Sequence, residues 1–208
     1  MRKVAESTVR RLSLYLRFLE EFAARGVATV SSGELASRGG TTSAQVRKDL
    51  SFFGSFGKRG MGYAVPEMVA KLREILGLGR RWPVVLLGAG KIGSALIEHR
   101  GFRERGFDIV AVFDNDPRKV GAAWNGLPVQ DEAGLEARLR QAPVEIAILA
   151  VPAEAAQPLA DRLTALGVAA ILNVAPVQLV VPPEVEVRTV SLAMELEGLS
   201  FALTNRGQ

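Results

Sequence analysis

The chain has 208 residues, of which 48% are hydrophobic, so it can form one or two domains with a proper core and is not disordered. It has no cysteine and a single histidine, which excludes disulfides and thiolate chemistry and argues against histidine-based metal sites. It shows no signal-peptide pattern and no apolar run near the ~18 residues that cross a bilayer, so we expect a cytoplasmic protein without membrane contact.

The net charge of +4 is unevenly distributed along the chain. Residues 1–76 contain 13 Lys and Arg against 7 Asp and Glu, whereas residues 77–208 contain 13 against 15. The positive charge therefore lies wholly in the first segment, which indicates a polyanionic partner for that segment. A basic face that is merely solvated would give the same count.

The first segment predicts three short helices. Apolar residues recur at helical spacing over residues 12–23, and Gly26 follows as a helix stop. Ser31 and Glu34 have the spacing of a capping box that opens a second helix. Thr42 has the position of the N-cap of a third helix, so the pattern is typical of a helix-turn-helix.

The outward face of the third predicted helix carries polar and basic side chains, namely Ser43, Gln45, Arg47, Lys48 and Ser51. Gln and Arg make paired hydrogen bonds with adenine and guanine edges, while Lys and Ser suit phosphates. This face is therefore predicted to read DNA. For Gln45 an alternative is equally good, because its side chain could simply complete the cap of its own helix.

A glycine-rich stretch follows the third helix, with four glycines within residues 54–62. Glycines at this density permit tight turns, and Lys58, Arg59 and Gly60 are predicted to form the tip of a two-stranded wing. A basic tip beside a reading helix can enter the DNA minor groove. An ordinary solvated hairpin is the alternative, but three helices followed by a basic hairpin favour a winged helix-turn-helix.

The second half of the chain alternates strand-like and helical segments. Pro66 begins a predicted linking helix, and residues 77–81 mark a boundary. The predicted strands that follow are Val84–Leu87, Ile109–Phe113, Val144–Val151 and Ala169–Val174. Continuous apolar strands separated by helices predict a parallel sheet buried on both faces. We therefore expect an α/β chain with a winged-helix domain at residues 1–78, a Rossmann-type domain at 79–190 and a terminal dimerisation helix at 191–208.

A dinucleotide fingerprint follows the first of these strands, and it consists of Gly88, Ala89, Gly90, Lys91, Ile92 and Gly93. Its glycines let the backbone approach a pyrophosphate at a helix N-terminus. Asp114 and Asn115 end the second strand about twenty residues later, as a Rossmann unit requires. Asp114 is predicted to accept hydrogen bonds from both adenosine ribose hydroxyls and to repel a 2′-phosphate, which favours NAD(H). Lys119 complicates this choice, since a nearby base can host a phosphate.

Two later strand ends lie at the same carboxyl edge of the predicted sheet, where open α/β sheets bind ligands. These are Val151 with Pro152, and Ala175 with Pro176, the latter preceded by Asn173. They are secondary candidates for the nucleotide site, because a proline at a strand end is also an ordinary stop signal.

With these motifs, the sequence resembles the Rex family of redox-sensing transcriptional repressors. The resemblance is carried by Gln45–Gly54, Gly60–Tyr63, the fingerprint, Val151–Gln157 and Ile171–Pro176. It implies a homodimer that binds a near-palindromic double-stranded DNA operator and responds to the NADH/NAD⁺ ratio, with NADH releasing DNA. It also implies that the C-terminal helix inserts between the domains of the partner subunit. That helix has an apolar stripe, for which an intramolecular core position is the simpler alternative.

Three positions depart from the family pattern, which places a tyrosine at His99, an aspartate at Ser191 and an aromatic residue at Val174. In the family, that aspartate and an arginine, Arg17 here, take part in linking the nicotinamide state to domain orientation. Ser191 can cap its helix, but it cannot carry the charge that would pair with Arg17. The resemblance therefore implies dinucleotide binding, and the departures from it predict a weaker discrimination between NADH and NAD⁺.

Two other functions stay open. An NAD-dependent oxidoreductase would need a general acid or base beside the nicotinamide, and the sequence offers no convincing candidate and no second catalytic domain, so we do not expect an enzyme. A repressor that senses CoA or another adenine nucleotide is the other alternative, because some CoA-binding domains have a similar glycine turn.

Overall fold

The structure is a computed structural model that describes residues 4–57 and 61–206. The chain divides into two compact units, Met1–Arg80 and Arg81–Gln208. The division falls close to the predicted boundary at residues 77–81, and the terminal helix belongs to the second unit.

The first unit is a small helical module with a two-stranded sheet. Its elements are α1 (Glu6–Ala24), β1 (Thr29–Val30), α2 (Ser32–Arg38), α3 (Ser43–Ser51), β2 (Tyr63–Ala64) and α4 (Val65–Ile75). The strands β1 and β2 pair antiparallel, with Val30 opposite Tyr63. The apolar stripe of α1 forms the centre of the core, and Leu12, Leu16 and Leu19 are fully buried there. The three predicted helices are present, whereas β2 pairs with β1, which precedes α2, rather than with a strand inside the glycine-rich stretch as the predicted hairpin requires.

The local signals at the helix ends are confirmed. The Ser31 hydroxyl accepts a hydrogen bond from the Glu34 amide at 3.1 Å, and the Ser31 amide donates to the Glu34 carboxylate at 2.7 Å. Thr42 Oγ1 accepts from the Gln45 amide at 3.1 Å. Gly26 follows α1 with φ at +72°, a conformation that favours glycine. These contacts satisfy backbone donors and acceptors that a helix end leaves open.

The wing joins the sheet at Gly62, whose φ is +76°. A Cβ atom at this position would lie 2.5 Å from the carbonyl oxygen of Val30, so a side chain would push the two strands apart. The predicted tip of the wing, Lys58, Arg59 and Gly60, lies outside the described residues.

The second unit is built on a seven-stranded sheet. Its strands are β3 (Trp82–Leu87), β4 (Phe107–Asp114), β5 (Ala123–Trp124), β6 (Leu127–Asp131), β7 (Ile146–Leu149), β8 (Ala170–Asn173) and β9 (Glu186–Thr189), in the order β5-β6-β4-β3-β7-β8-β9. All neighbours pair parallel except β5 and β6, which pair antiparallel. The helices are α5 (Lys91–Glu98), α6 (Arg100–Glu104), α7 (Leu135–Gln141), α8 (Ala153–Ala165) and α9 (Leu192–Thr204).

Both faces of this sheet are buried. In β3, Val85 and Leu87 belong to one apolar cluster, while Val84 and Leu86 belong to another. Successive strand residues point to opposite faces, so a strand covered on both sides must be apolar throughout. The chain runs outward from β3 to β4 on one side and continues with β7 on the other side of β3, so the strand order reverses between β3 and β7. A crevice lies at the carboxyl ends of the strands at such a point.

The apolar stripe of α9 is not buried within the chain. Leu192, Leu196, Leu199 and Leu203 are between 61% and 74% exposed. The structure therefore contradicts the alternative of an intramolecular core position for this stripe. Within the described part of the chain, none of the helices has the length and apolarity that a bilayer crossing requires.

Candidate DNA-binding and nucleotide-binding sites

The outward face of α3 is basic. Arg47, Lys48 and Ser51 are exposed, while Ser43 and Gln45 are half-buried. Arg47 donates from Nη1 to the Ser32 hydroxyl at 3.0 Å, which ties its guanidinium to the first turn of α2. The Ser51 hydroxyl donates to the Lys48 carbonyl at 2.7 Å. The predicted reading residues thus share one helix, with two cations at its exposed face.

The Gln45 side chain does not complete the cap of its own helix, and its contact with DNA stays a prediction. The Gln45 backbone amide donates to Thr42 Oγ1 at 3.1 Å, whereas its side-chain Nε2 donates to Asp49 Oδ1 at 2.7 Å. One of the two side-chain N–H donors is therefore committed inside the module. Sequence reasoning overlooked Asp49, which is fully buried although it sits beside two cations in the sequence.

The glycine turn between β3 and α5 has the geometry that the fingerprint requires. Gly88 has φ at +100°, and a Cβ atom there would lie 2.3 Å from the carbonyl oxygen of Ala150. A Cβ atom on Gly93 would lie 1.9 Å from the carbonyl oxygen of Gly88, so this glycine lets α5 pack against the turn. Gly90 is the N-cap of α5, and a Cβ atom there would project into open space. The first N–H groups of α5 therefore lie beside a space that a polyanion could enter.

Asp114 ends β4 and is only 7% exposed. Its Oδ2 accepts from the Ala89 amide at 2.7 Å and from Lys119 Nζ at 2.9 Å, and its Oδ1 accepts from the Asp116 amide at 2.8 Å. Burial alone would raise the pKa of Asp114, but these hydrogen bonds hold its pKa below the ordinary value. The group is therefore an anion at neutral pH.

The role of Asp114 at the ribose stays a prediction, but these contacts already use part of the hydrogen-bonding capacity of its carboxylate. A carboxylate oxygen can accept about two hydrogen bonds, so Oδ2 is saturated within the described structure and Oδ1 has room for one more. With Lys119 in place, the Asp114 carboxylate has capacity for one further hydrogen bond.

A cavity of about 740 Å³ opens at this carboxyl edge of the sheet. Nine of the predicted nucleotide residues line it, namely Gly88, Gly90, Lys91, Ile92, Asp114, Asn115, Lys119, Val151 and Pro152. Sequence reasoning missed further lining residues, among them Glu132 and Glu154. Glu132 follows β6, a strand that the sequence did not predict, so its place at the site could not be foreseen. The charged lining consists of four carboxylates and two ammonium groups, counting Asp116.

The other predicted nucleotide residues do not line the cavity. Ala89 is buried and acts through its amide on Asp114, and Gly93 packs beneath the turn. Asn173 is fully buried, and it bonds the loop that follows β8 through the Val177 carbonyl at 2.7 Å and the Ala175 amide at 3.0 Å. Ala175 is buried and Pro176 is exposed in that same loop. These residues shape the edge of the sheet from outside the cavity.

The three residues tied to switching lie in different units. Arg17 is exposed on α1 of the first unit, 3.9 Å from Glu21. His99 lies between α5 and α6 in the second unit, and its ring is 5.0 Å from that of Phe102. Ser191 is the N-cap of α9, where its hydroxyl accepts from the Met194 amide at 3.3 Å. The predicted cap at Ser191 is confirmed.

A winged helix with a basic reading face and a Rossmann unit with a glycine turn define a class of protein that couples a DNA reader to a nucleotide-binding domain. Residues 3–51 match the family model described as "Putative DNA-binding protein N-terminus", and residues 80–177 match the "CoA binding domain" model. The redox-sensing transcriptional repressor Rex of Carboxydothermus hydrogenoformans is 52% identical over 199 residues, which cover 96% of each chain.

Two solved structures are similar over nearly the whole chain. One, described as RSP in complex with beta-NAD+ and operator DNA, is 36% identical with a TM-score of 0.94, and the match covers 99% of this chain and 95% of the other. Another, RSP in complex with beta-NADH, is 34% identical with a TM-score of 0.89, covering 99% and 97%. The chain belongs to the Rex family of redox-sensing transcriptional repressors.

Proposed function

We propose that this chain is a transcriptional repressor that binds an operator through its winged helix and is modulated by NAD(H) bound to its Rossmann domain. The observation that carries the proposal is the presence, in one chain, of the exposed Arg47 and Lys48 on α3 and of the Gly88 turn facing Asp114. The relatives support it, since their names and titles join redox sensing, both nicotinamide dinucleotides and operator DNA.

The cavity fits a dinucleotide. The open space at Gly90 leaves the N-terminus of α5 accessible to a pyrophosphate, and Asp114 Oδ1 retains room for a ribose hydroxyl. When bound, NAD(H) supplies a nicotinamide that is cationic in the oxidised state and neutral in the reduced state. The residues of this chain bind and orient the ligand, and the protein converts the difference in charge into a change of DNA affinity.

The protein acts as a homodimer in this proposal. A near-palindromic operator requires two reading helices related by a two-fold axis. The exposed apolar stripe of α9 supplies a surface that a second subunit would cover, since monomeric soluble proteins rarely expose such patches.

CoA is the second candidate ligand, because the family model for residues 80–177 bears its name. CoA carries a 3′-phosphate on its ribose, whereas NAD(H) does not. The buried carboxylate of Asp114 makes the site unfavourable for an additional phosphate beside it, whereas Glu132 and Asp116 are already paired with Arg162 and Arg118. The charge of Asp114 likewise favours NAD(H) over a 2′-phosphorylated dinucleotide.

Single substitutions test the DNA-binding part of the proposal. A duplex selected by the protein from a random pool serves as the specific probe. Arg47→Ala is expected to weaken binding to this duplex by about 1–3 kcal/mol, as loss of a base contact does. Lys58→Ala is expected to weaken binding to all duplexes and to reduce the slope of affinity against salt by about one.

Lys71→Ala is the matched control, because Lys71 lies on α4 and pairs with Glu74 at 2.7 Å. It removes the same charge from the same unit and should leave the preference for the selected duplex unchanged. Folded Arg47→Ala and Lys58→Ala proteins with unaltered DNA affinity would contradict the assignment.

A further inference from the structure

The most unusual group in the first unit is a carboxylate on the inner side of the reading helix. Asp49 lies between Lys48 and Leu50 on α3, and its side chain is 0% exposed. Burying a carboxylate is costly unless it is paired and hydrogen-bonded, and an apolar residue would fill such a position at less cost. The group therefore requires an explanation beyond packing.

The Asp49 carboxylate accepts four hydrogen bonds. Arg11 Nε donates to Oδ2 at 2.6 Å, and Arg11 Nη2 donates to Oδ1 at 2.7 Å. The Tyr15 hydroxyl donates to Oδ2 at 3.0 Å, and Gln45 Nε2 donates to Oδ1 at 2.7 Å. Each oxygen thus accepts two bonds, which fills its lone pairs. We call this group of four side chains the Asp49 clasp.

The protonation states hold the clasp together at neutral pH. Burial raises the pKa of Tyr15 to about 12, so its hydroxyl stays a donor. Burial would also raise the pKa of Asp49, but the hydrogen bonds from Arg11, Gln45 and Tyr15 keep it below the ordinary value. A carboxylate and a guanidinium in fork geometry fix both distance and angle, which an apolar contact does not.

The clasp joins α1 to α3. Arg11 and Tyr15 lie on α1, and Asp49 and Gln45 lie on α3. Side chains on a helix are separated by about 100° per residue, so fixing the direction of Asp49 also fixes the directions in which Arg47 and Lys48 point. A small roll of α3 would leave their charges near DNA but would misalign their contacts with base edges.

We infer that Asp49, held by Arg11 and Tyr15, is a positioning residue that sets the discrimination between the operator and other DNA. The inference rests on the proposed DNA-binding function. Phosphate attraction, which gives binding to any sequence, tolerates a shift of α3, whereas base readout does not.

The direction in which Asp49→Asn changes DNA affinity distinguishes a positioning role from a simple effect of charge. Asp49→Asn removes a negative charge from a DNA-binding unit, so electrostatics alone predicts tighter binding to every duplex. Positioning predicts that binding to the specific duplex weakens instead, because the Asn amide cannot accept four hydrogen bonds and presents donors to Arg11.

The experiment compares the affinity for a duplex selected by the unmodified protein with that for a scrambled duplex of equal length and composition. For Asp49→Asn, we expect the ratio of the two affinities to fall about tenfold or more, with binding to the scrambled duplex maintained or strengthened. If Asp49→Asn fails to fold, Tyr15→Phe takes its place in the experiment. Tyr15→Phe removes one hydrogen bond without changing charge, and it should lower the ratio of the two affinities about threefold or more.

Two arginines on α1 give a matched control. Arg11→Lys keeps the charge but breaks the fork to Asp49, so the affinity ratio should fall. Arg10→Lys makes the same change one residue earlier, at a side chain that is 74% exposed and pairs with Glu6, and it should leave the ratio unchanged.

Folded Tyr15→Phe and Arg11→Lys proteins that retain the full affinity ratio would overturn the inference while leaving the proposed function intact. An equal loss of affinity for both duplexes would also overturn it, since that result indicates a merely structural role. If the unmodified protein shows no sequence preference at all, the proposed function itself fails.

Discussion

At the scale of single residues, close contacts with backbone atoms decide the geometry of the nucleotide site. The requirement for glycine at 88 and 93 follows from backbone contacts of 2.3 Å and 1.9 Å that any Cβ atom would make, and the spacing of the fingerprint predicts both. The contact between Lys119 and Asp114 was not predicted, because it depends on how the loop after β4 folds back. The same holds for Asp49, whose burial depends on two residues more than thirty positions earlier.

The first prediction concerns Asp114. Asp114→Asn should weaken NADH binding by about 1–3 kcal/mol, because a charged acceptor is lost from a buried hydrogen-bond network, and it should narrow the preference for NADH over NADPH. Isothermal titration with both dinucleotides measures this. Asp108→Asn, at the other end of β4 and paired with Arg81, is the matched control. Equal affinities in the natural protein and Asp114→Asn would contradict the assignment.

The second prediction concerns the pH dependence of stability at Asp49. Its pKa is lowered in the folded state, so its stabilising contribution is present above the unfolded value of about 4 and is lost as the pH falls through the folded value. Urea unfolding at pH 7 and at pH 3 should therefore show a smaller difference in the free energy of unfolding between the natural protein and Asp49→Asn at the lower pH. A difference that does not depend on pH would argue against a stabilising charge at this position.

At the scale of elements, the helices and strands with a strong periodic pattern were predictable from the sequence, whereas the short strands near the sheet edges were not. The helices α1, α2 and α3 and the central strands β3, β4, β7 and β8 follow from capping residues and apolar runs. The strands β5, β6 and β9 were missed because they lie towards the sheet edges and are two to five residues long, and because β6 and β9 carry polar residues or proline. Their pairing depends on neighbouring strands, which no local pattern records.

The third prediction tests the capping box of α2. Ser31→Ala should lower the free energy of unfolding of the first unit by about 1 kcal/mol, because the Glu34 amide loses its acceptor. Chemical unfolding followed by circular dichroism measures the loss. Ser13→Ala is the control, since its hydroxyl only donates back to the Val9 carbonyl within α1 and should change stability by less than about 0.5 kcal/mol. An unchanged stability in Ser31→Ala would contradict the energetic role of the cap.

At the scale of the whole molecule, α9 stands apart, because the leucine side chains of its apolar stripe are exposed. The family resemblance predicted a dimerisation helix from this pattern. The stripe is exposed in the structure of one chain, which removes the intramolecular alternative, and we propose that a second subunit covers it.

The fourth prediction concerns this helix. Replacing Leu196 and Leu199 by Glu should convert a dimer into a monomer and weaken binding to a palindromic duplex, since each half-site then binds alone. Sedimentation measures the oligomeric state. Glu195→Gln on the same helix is a control that keeps the apolar stripe. A double Glu variant that stays a tightly bound dimer would refute the role of α9.

The fifth prediction addresses switching. The family resemblance implies an aspartate at position 191 and a tyrosine at position 99, where this chain has Ser191 and His99, so we expect a smaller difference between NADH and NAD⁺ in their effect on DNA affinity. Ser191→Asp combined with His99→Tyr should widen the difference between the two ligands in their effect on DNA affinity, towards the 1–3 kcal/mol typical of allosteric coupling. If the unmodified protein already responds to NADH and ignores NAD⁺ over a wide concentration range, this expectation is wrong.

We expect the nucleotide bound to the Rossmann domain to control the DNA affinity of the winged helix. The most direct test is a titration of the unmodified protein bound to its selected duplex with NADH, NAD⁺ and CoA in parallel, at constant salt. We expect NADH to weaken DNA binding, NAD⁺ to weaken it less, and CoA to have no effect on it. Binding of NADH with no change in DNA affinity, or release of DNA by CoA alone, would contradict this expectation.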